Sequence, residues 1–511
     1  MLFNSIEFIF LFLPITLAGF FMIGARQHHR VATSWLVSAS LFFYGWWDPA
    51  YLWLLIFSML FNYSLGLLLS AKDKNKALLV TGIAINLSFL AYFKYTNFFI
   101  DNVNLVINGD YNVSHIILPL AISFFTFQQI AYLVDAYRNE VREYKFLHYS
   151  LFVTFFPQLI AGPIVHHKEM LPQFSKSKTY TFNMENINLG MTIFIIGLFK
   201  KVILADGIAG YSTPVFDAAD AGLSISFFEG WGGALAYTLQ LYFDFSGYAD
   251  MAIGVALMFG ITLPFNFNSP YKSRSIIDFW RRWHMTLSRF LKDYLYIPFG
   301  GNRRGSKHLN IFATMLIGGL WHGAAWNFVI WGAIHGFSIV INHAWRSFKR
   351  VVLKLNVEKN SLMGILFSIF LTFLVVTISW VFFRAETFAG AMNMLAGMFG
   401  LNGFILPEKV AAVVPVFFSD IVSFEGHGIG SFPDVWGVVW IAALLLVVFI
   451  VPNAQEITSK YKHKNTAERQ QKNMNRMGLS VLVPAIYGFM FFVSIKTMLS
   501  VSDSEFLYFN F

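Results

Sequence analysis

The 511 residues include no cysteine, and only 13% of them are charged. The first absence excludes disulfides, thiolate metal sites and a cysteine nucleophile. The second excludes an ordinary water-soluble domain, in which about a quarter of the residues carry charge. No Gly-x-Ser-x-Gly elbow occurs, no His-x-x-x-His or carboxylate pair lies at ligand spacing within an apolar run, and the turn Gly300–Gly305 lacks the Gly-Lys-Ser/Thr ending of a Walker loop. A serine hydrolase, a bound metal and a P-loop are therefore unsupported. Short alternating segments of about ten residues, the mark of a transmembrane barrel, are missing too.

What the chain has is apolar length: 56% hydrophobic and 18% aromatic residues. Uncharged runs recur at Phe8–Ala25, Tyr51–Ala71, Tyr111–Val134, Phe146–His167, Met251–Tyr271, Asn360–Phe383, Val435–Gln455 and Met477–Ile495, and His308–Trp345 is a 38-residue run without charge. About 20 apolar residues cross the hydrocarbon of a bilayer, and backbone in lipid must bond internally. The expectation is an all-α, polytopic transmembrane bundle of about 11–12 spans, one integral membrane domain over residues 1–511. Phe8–Ala25 follows Glu7 without a basic region and reads as a retained first span.

The net charge of +9 is gathered in loops: Arg26–Arg30, Lys72–Lys76, Arg138–Lys145, Lys168–Lys178, Lys272–Lys307, Arg346–Lys359 and Lys460–Arg476. The positive-inside rule puts these in the cytoplasm and explains the basic excess without nucleic acid. The connections Asp101–His115, Asp206–Glu229 and Arg384–Asp434 then lie outside, as do both termini. Asn465–Asn475 reads as a polar cytoplasmic loop. Two stretches join basic loops and must cross twice or not at all. Thr33–Ala71 has a turn at Trp46-Trp47-Asp48-Pro49, which predicts a hairpin. His308–Trp345 is short for two crossings, and predicts a broken or re-entrant hairpin with its break near Gly318-Gly319 and Gly323.

Two segments carry chemistry. Lys272–Lys307 holds nine Lys or Arg against Asp278 and Asp293. A continuous helix over Ile276–Tyr294 would put Ile277, Trp280, His284, Leu287 and Leu291 on one face and Asp278, Arg282, Arg289 and Lys292 on the other. That is an amphipathic helix for a membrane surface, and its basic face also suits an anionic donor, with Arg281, Arg282, Arg289, Arg303 and Arg304 as candidates. His284, on the apolar face, reads by position as a packed histidine. The second segment is Met315–Asn327, which places His322 inside the longest uncharged run. Ionisable groups there face a cavity or a partner, and a neutral imidazole can take a proton from a hydroxyl near pH 7. A packing role for His322 stays open. His335, thirteen residues on, need not be its partner.

Phe279-Trp-Arg-Arg-Trp-His-Met-Thr-Leu-Ser288, Asp293-Tyr-Leu-Tyr-Ile-Pro-Phe-Gly-Gly-Asn-Arg303 and Gly319-Leu-Trp-His-Gly323 resemble the membrane-bound O-acyltransferase family, in its bacterial polysaccharide branch and nearest the alginate type. So do Leu118–Gln128, Phe156–Pro163, Tyr242–Gly254 and Phe506–Phe511, with Ala121 where relatives often have glycine. The resemblance implies helices around a central funnel, His322 as the catalytic histidine and His284 as the second histidine of the branch. It implies transfer of an acetyl group from a cytoplasmic thioester, acetyl-CoA or an acyl carrier protein, to a hydroxyl. The product would be an O-acetylated exopolysaccharide such as alginate, reached through a periplasmic partner from the bacterial inner membrane. Trp283 and Trp321 join the arginines as expected donor-site residues. Peptidoglycan or cellulose are alternative polymers, and a transporter with His322 as a proton relay is the rival class.

Overall fold

The computed structural model describes the chain except residues 71–74, 112–115, 142–144, 355–360, 409–421, 426–428, 430–433, 463–476, 502–505 and 508–511. The stretch Asn465–Asn475 lies outside the described residues. Helices dominate: α1 (Phe8–Ala25), α2 (His29–Gly45), α3 (Leu52–Leu69), α4 (Lys76–Ile107), α5 (Ile122–Tyr137), α6 (Phe146–Thr154), α7 (His167–Phe174), α8 (Met184–Asp220) and α9 (Phe227–Met258). They continue with α10 (Ile276–Trp280), α11 (Met285–Leu291), α12 (Lys307–His322), α13 (Trp326–Val351), α14 (Leu362–Arg384), α15 (Phe388–Met398), α16 (Val435–Ile450), α17 (Ala454–Lys462) and α18 (Met477–Ser500). The described strands, β1 (Phe404–Pro407) and β2 (Val422–Glu425), form a parallel pair with Phe404 opposite Val422.

Among the described residues, seven helices are long and apolar enough to cross a membrane, α8 and α4 being the longest at 37 and 32 residues. Helices α2, α6, α12 and α16 are shorter, and α9 carries Glu229, Asp244 and Asp250 along its length. The chain is thus a multi-pass helical membrane protein. The turn expected in Thr33–Ala71 is present: α2 ends at Gly45, and the Asp48 carboxylate accepts the Ala50 N–H at 2.8 Å before α3 begins.

The chain falls into two compact units. The first holds Met1–Phe199, Gly247–Asn266 and Ala454–Asn510. In it α8 and α9 meet at glycines: a Cβ on Gly190 would stand 2.6 Å from the Gly254 carbonyl oxygen, so only glycine allows the approach. Asn62 and Asn86 exchange side-chain amide bonds at 3.0 and 2.7 Å, which satisfies two polar groups buried between α3 and α4.

The second unit holds Lys200–Ser246 and Phe267–Asn453. Here α12 and α13 pack as a tight antiparallel hairpin. A Cβ on Gly319 would lie 2.2 Å from the Phe328 carbonyl oxygen, and one on Gly332 would lie 2.4 Å from that of Met315. The hairpin's break falls at Gly323–Ala325, with Gly323 and Ala325 in extended conformation. Gly318 and Gly319 remain helical, and Gly319 serves close packing rather than the turn.

Candidate active site

His322 is the last residue of α12, 6% exposed. The break that follows turns the chain back, so α13 lays Trp331 against it. The two rings are 5.0 Å apart at 86°, and Phe383 of α14 packs on the histidine at 5.2 Å and 72°. Trp331 in turn stacks on Trp380 at 5.7 Å and touches Phe383 at 5.3 Å. The imidazole therefore stands in an aromatic collar supplied by α13 and α14. Its place at a helix C-terminus sets the negative end of the helix dipole against any positive charge the ring gains.

The region around His284 departs from the sequence reading. Ile276–Tyr294 is not one helix. Ser275 caps α10, accepting the Asp278 N–H at 3.2 Å, and α10 ends at Trp280. A turn follows, with His284 in the left-handed region at φ +42°, before α11 begins at Met285. His284 therefore lies on no amphipathic helix face, and its burial comes from tertiary contacts. It is 0% exposed, edge-on to Phe245 of α9 at 4.8 Å and 6.3 Å from Phe267. Burial pushes its imidazole down from 6.5 to about 3, so the ring is neutral near pH 7.

Aromatic contacts run from one histidine's segment to the other's. Trp283 packs on Trp380 at 5.0 Å, Trp380 on Phe383 at 5.2 Å, and Phe383 on His322. Trp283 and Trp321 are both buried. Trp283 is held among Phe279, Phe267 and Trp380.

The arginines do not share one face. Arg281 is exposed in the turn after α10, and Arg282 beside it pairs with Asp278 at 3.0 Å and donates to the Asn268 carbonyl at 3.4 Å. Arg289 is half-buried on α11. Arg303 and Arg304 are exposed on the separate turn that leads into α12, pinned where Asn310 donates to the carbonyls of Gly301 and Arg304.

Three polar clusters escaped the sequence reading. In the second unit, Lys201 is buried and paired with Asp206 at 2.7 Å and Asp244 at 2.8 Å. Nothing in the spacing of these residues signals the pairing, although Asp244 lies in the Tyr242–Gly254 stretch. Also there, His335 bonds Trp280 and Ser379. In the first unit, His167 Nδ1 lies 3.3 Å from the Asp135 carboxylate, and its Nε2 faces the Glu140 carbonyl at 3.4 Å. Burial pushes the His167 imidazole down against the opposing pull of Asp135. A cavity of about 640 Å³ opens beside it, lined by Asn139, Glu140, Lys168 and Ser175 among others. Among the described residues no group of three His, Asp or Glu is placed to hold a metal ion.

The chain is similar to known proteins over most of its length. Residues 41–383 match the model of the membrane-bound O-acyltransferase family. The chain is 47% identical over 434 residues to a peptidoglycan O-acetyltransferase of Helicobacter pylori, covering 79% of this chain and 80% of that one. It is 41% identical over 419 residues to a probable alginate O-acetylase of Pseudomonas aeruginosa, covering 80% and 76%. A teichoic acid D-alanyltransferase of Bacillus subtilis is 31% identical over 229 residues, covering 42% of this chain and 56% of that one.

Proposed function

This chain belongs to the membrane-bound O-acyltransferase family and is an O-acyltransferase, and we propose that it carries an acetyl group from a cytoplasmic thioester to a hydroxyl acceptor in the modification of a cell-surface polysaccharide. The observation that carries the reading is His322, a nearly buried imidazole at a helix end, inside an aromatic collar, on a chain whose relatives include a peptidoglycan O-acetyltransferase and probable alginate O-acetylases.

In this mechanism His322 takes the proton of the acceptor hydroxyl as its oxygen attacks the thioester carbonyl. The tetrahedral intermediate collapses, the C–S bond breaks, and the imidazolium returns the proton to the leaving thiolate. An ester and a free thiol result, with no net proton released. A positioned general base contributes roughly 10²- to 10⁴-fold. His284, neutral and fixed, serves to orient the donor or to polarise its carbonyl. Acetyl-CoA is the proposed donor, with Arg281, Arg282, Arg289 and Arg303 receiving its phosphates. An acyl carrier protein is the other thioester that fits a basic cytoplasmic surface.

The acetyl group then passes to a periplasmic acetyltransferase, with this chain in the bacterial inner membrane. For the polymer, alginate is the first reading. The higher identity to a peptidoglycan O-acetyltransferase favours peptidoglycan as the second. Family membership favours catalysis over the transporter reading.

The test incubates purified protein and its periplasmic acetyltransferase with labelled acetyl-CoA and alginate or peptidoglycan fragments, beside His322→Ala. Thioester loss and label transfer that depend on His322 support the reading. Equal rates in wild type and variant overturn it.

A further inference from the structure

Trp331 and His335 lie one turn apart on α13, and so share a face. His335 is 0% exposed, and both of its ring nitrogens have partners. Trp280, at the end of α10, donates its indole N–H to Nδ1 at 3.2 Å. Nε2 stands 3.0 Å from Ser379 Oγ on α14, and the Ser379 hydroxyl donates to the Val376 carbonyl at 2.7 Å. An indole nitrogen only donates, so Nδ1 accepts and the ring proton sits on Nε2, aimed at Ser379. The series Trp280, His335, Ser379, Val376 thus runs in one direction, with each proton assigned.

The same ring packs on Trp331 at 4.7 Å, and Trp331 packs edge-to-face on His322. Phe279 stacks on it from the other segment at 6.0 Å and 15°. A phenylalanine of similar shape would fill this aromatic cluster without two polar atoms to satisfy, whereas a buried polar ring costs free energy unless bonded. What the imidazole adds is direction. It ties α10, which leads into His284, and α14, which carries Phe383, to the helix whose tryptophan packs on His322.

We propose that His335 is a positioning residue for acyl transfer. It touches neither donor nor acceptor and exchanges no proton. It locks Trp280 and Trp331, and through them the orientation of the His322 ring and the position of the Trp280–His284 turn. The inference rests on the acyl-transfer reading above.

The test is steady-state kinetics on His335→Phe, His335→Asn and Trp280→Phe in purified full-length protein, with His322→Ala alongside. Misplacing a reacting group by about 1 Å costs on the order of 100-fold. His335→Phe is therefore expected to lower kcat about 10- to 100-fold, with KM for both substrates held within about twofold. The pH–rate midpoint should match wild type, because the base is unchanged. Asparagine keeps an acceptor where Nδ1 stood, so His335→Asn should recover most of the rate, as a merely space-filling site would not allow. Trp280→Phe removes the donor without changing a residue of the hairpin and should lose kcat to a similar extent.

A folded His335→Phe with kcat within about twofold of wild type overturns the proposal, as does His335→Asn no better than His335→Phe. If His335→Phe does not fold, full activity in Trp280→Phe overturns it. Wild-type protein no faster than His322→Ala would instead overturn the acyl-transfer reading, so the two failures are told apart.

Discussion

His284 and His322 are both buried in the second unit and both sit at helix ends, but at opposite ends. His322 closes α12, at the negative end of that helix's dipole. His284 precedes α11, in a left-handed conformation that costs a non-glycine residue about 1–2 kcal/mol. The first setting lies against the positive charge a base acquires as it takes a proton. The second, with full burial, keeps the ring neutral. In the proposed mechanism the two identical side chains have different work, set by the backbone that presents them: the strained, wholly enclosed imidazole fixes a shape, and the ring at the helix end, still 6% exposed, exchanges the proton.

Substitution at the two positions tests that division most directly. His322→Ala should lower the rate of thioester-dependent transfer by about 10²- to 10⁴-fold, measured as initial rates on folded protein. His284→Asn keeps a polar side chain that tolerates the left-handed backbone, and should cost about tenfold. Equal losses at both positions in folded protein would show the histidines acting as one unit, and the division would fail.

The pH dependence of stability comes next. The His284 imidazole lies at about 3 in the folded protein, below its ordinary 6.5. Between these values the unfolded chain binds the extra proton, so stability rises with pH. The contribution is complete above about 6.5 and is lost as pH falls toward 3, with a slope of up to about 1.4 kcal/mol per pH unit. Thermal unfolding of wild type and His284→Asn between pH 5 and 7.5 should show the shallower dependence in the variant. Parallel curves would mean that His284 is not the enclosed neutral group described here.

A third substitution acts on the support of His322 alone. Gly319→Ala puts a Cβ against the Phe328 carbonyl, a backbone atom that cannot rotate away. Overpacking of this kind costs about 1–3 kcal/mol, read as a lowered unfolding temperature. Gly210→Ala on α8, where nothing lies within 4 Å, is the control and should keep or slightly raise the unfolding temperature, since alanine favours a helix over glycine.

The sequence disclosed the helical membrane class through its uncharged runs, and the Thr33–Ala71 hairpin through Trp46–Pro49. Length and charge are one-dimensional and need no partner. It misplaced His284, because a 100° periodicity laid over Ile276–Tyr294 cannot register one residue at positive φ, and the apolar pattern continues across the turn. Gly318 and Gly319 read as a break for a related reason: glycine marks both a turn and a close helix crossing, and only the facing helix decides which. The bonds of His335 were hidden because Trp280 and Ser379 lie 55 and 44 residues away. The Lys201–Asp244 pair was hidden likewise, by a separation that carries no period.

The smallest expected effect falls on the His284 side of the comparison. Arg282, two residues before His284, is bound to Asp278 with both side chains partly exposed. Such an i,i+4 pair stabilises by only about 0.2–1 kcal/mol, so Arg282→Ala should barely move the unfolding temperature. If the arginine binds donor phosphates, its loss should raise the donor KM by about tenfold, near the lower end of what a charge-assisted hydrogen bond contributes, and leave kcat nearly unchanged. Wild-type donor KM should rise with ionic strength and the variant's should rise less, since screening acts on exposed charge. That outcome would put donor binding on the His284 side and proton transfer on the His322 side. An unchanged KM would leave the basic turn to lipid headgroups alone, and His284 would then have to act on the acyl carbonyl or on the shape of the site, without a bound phosphate beside it.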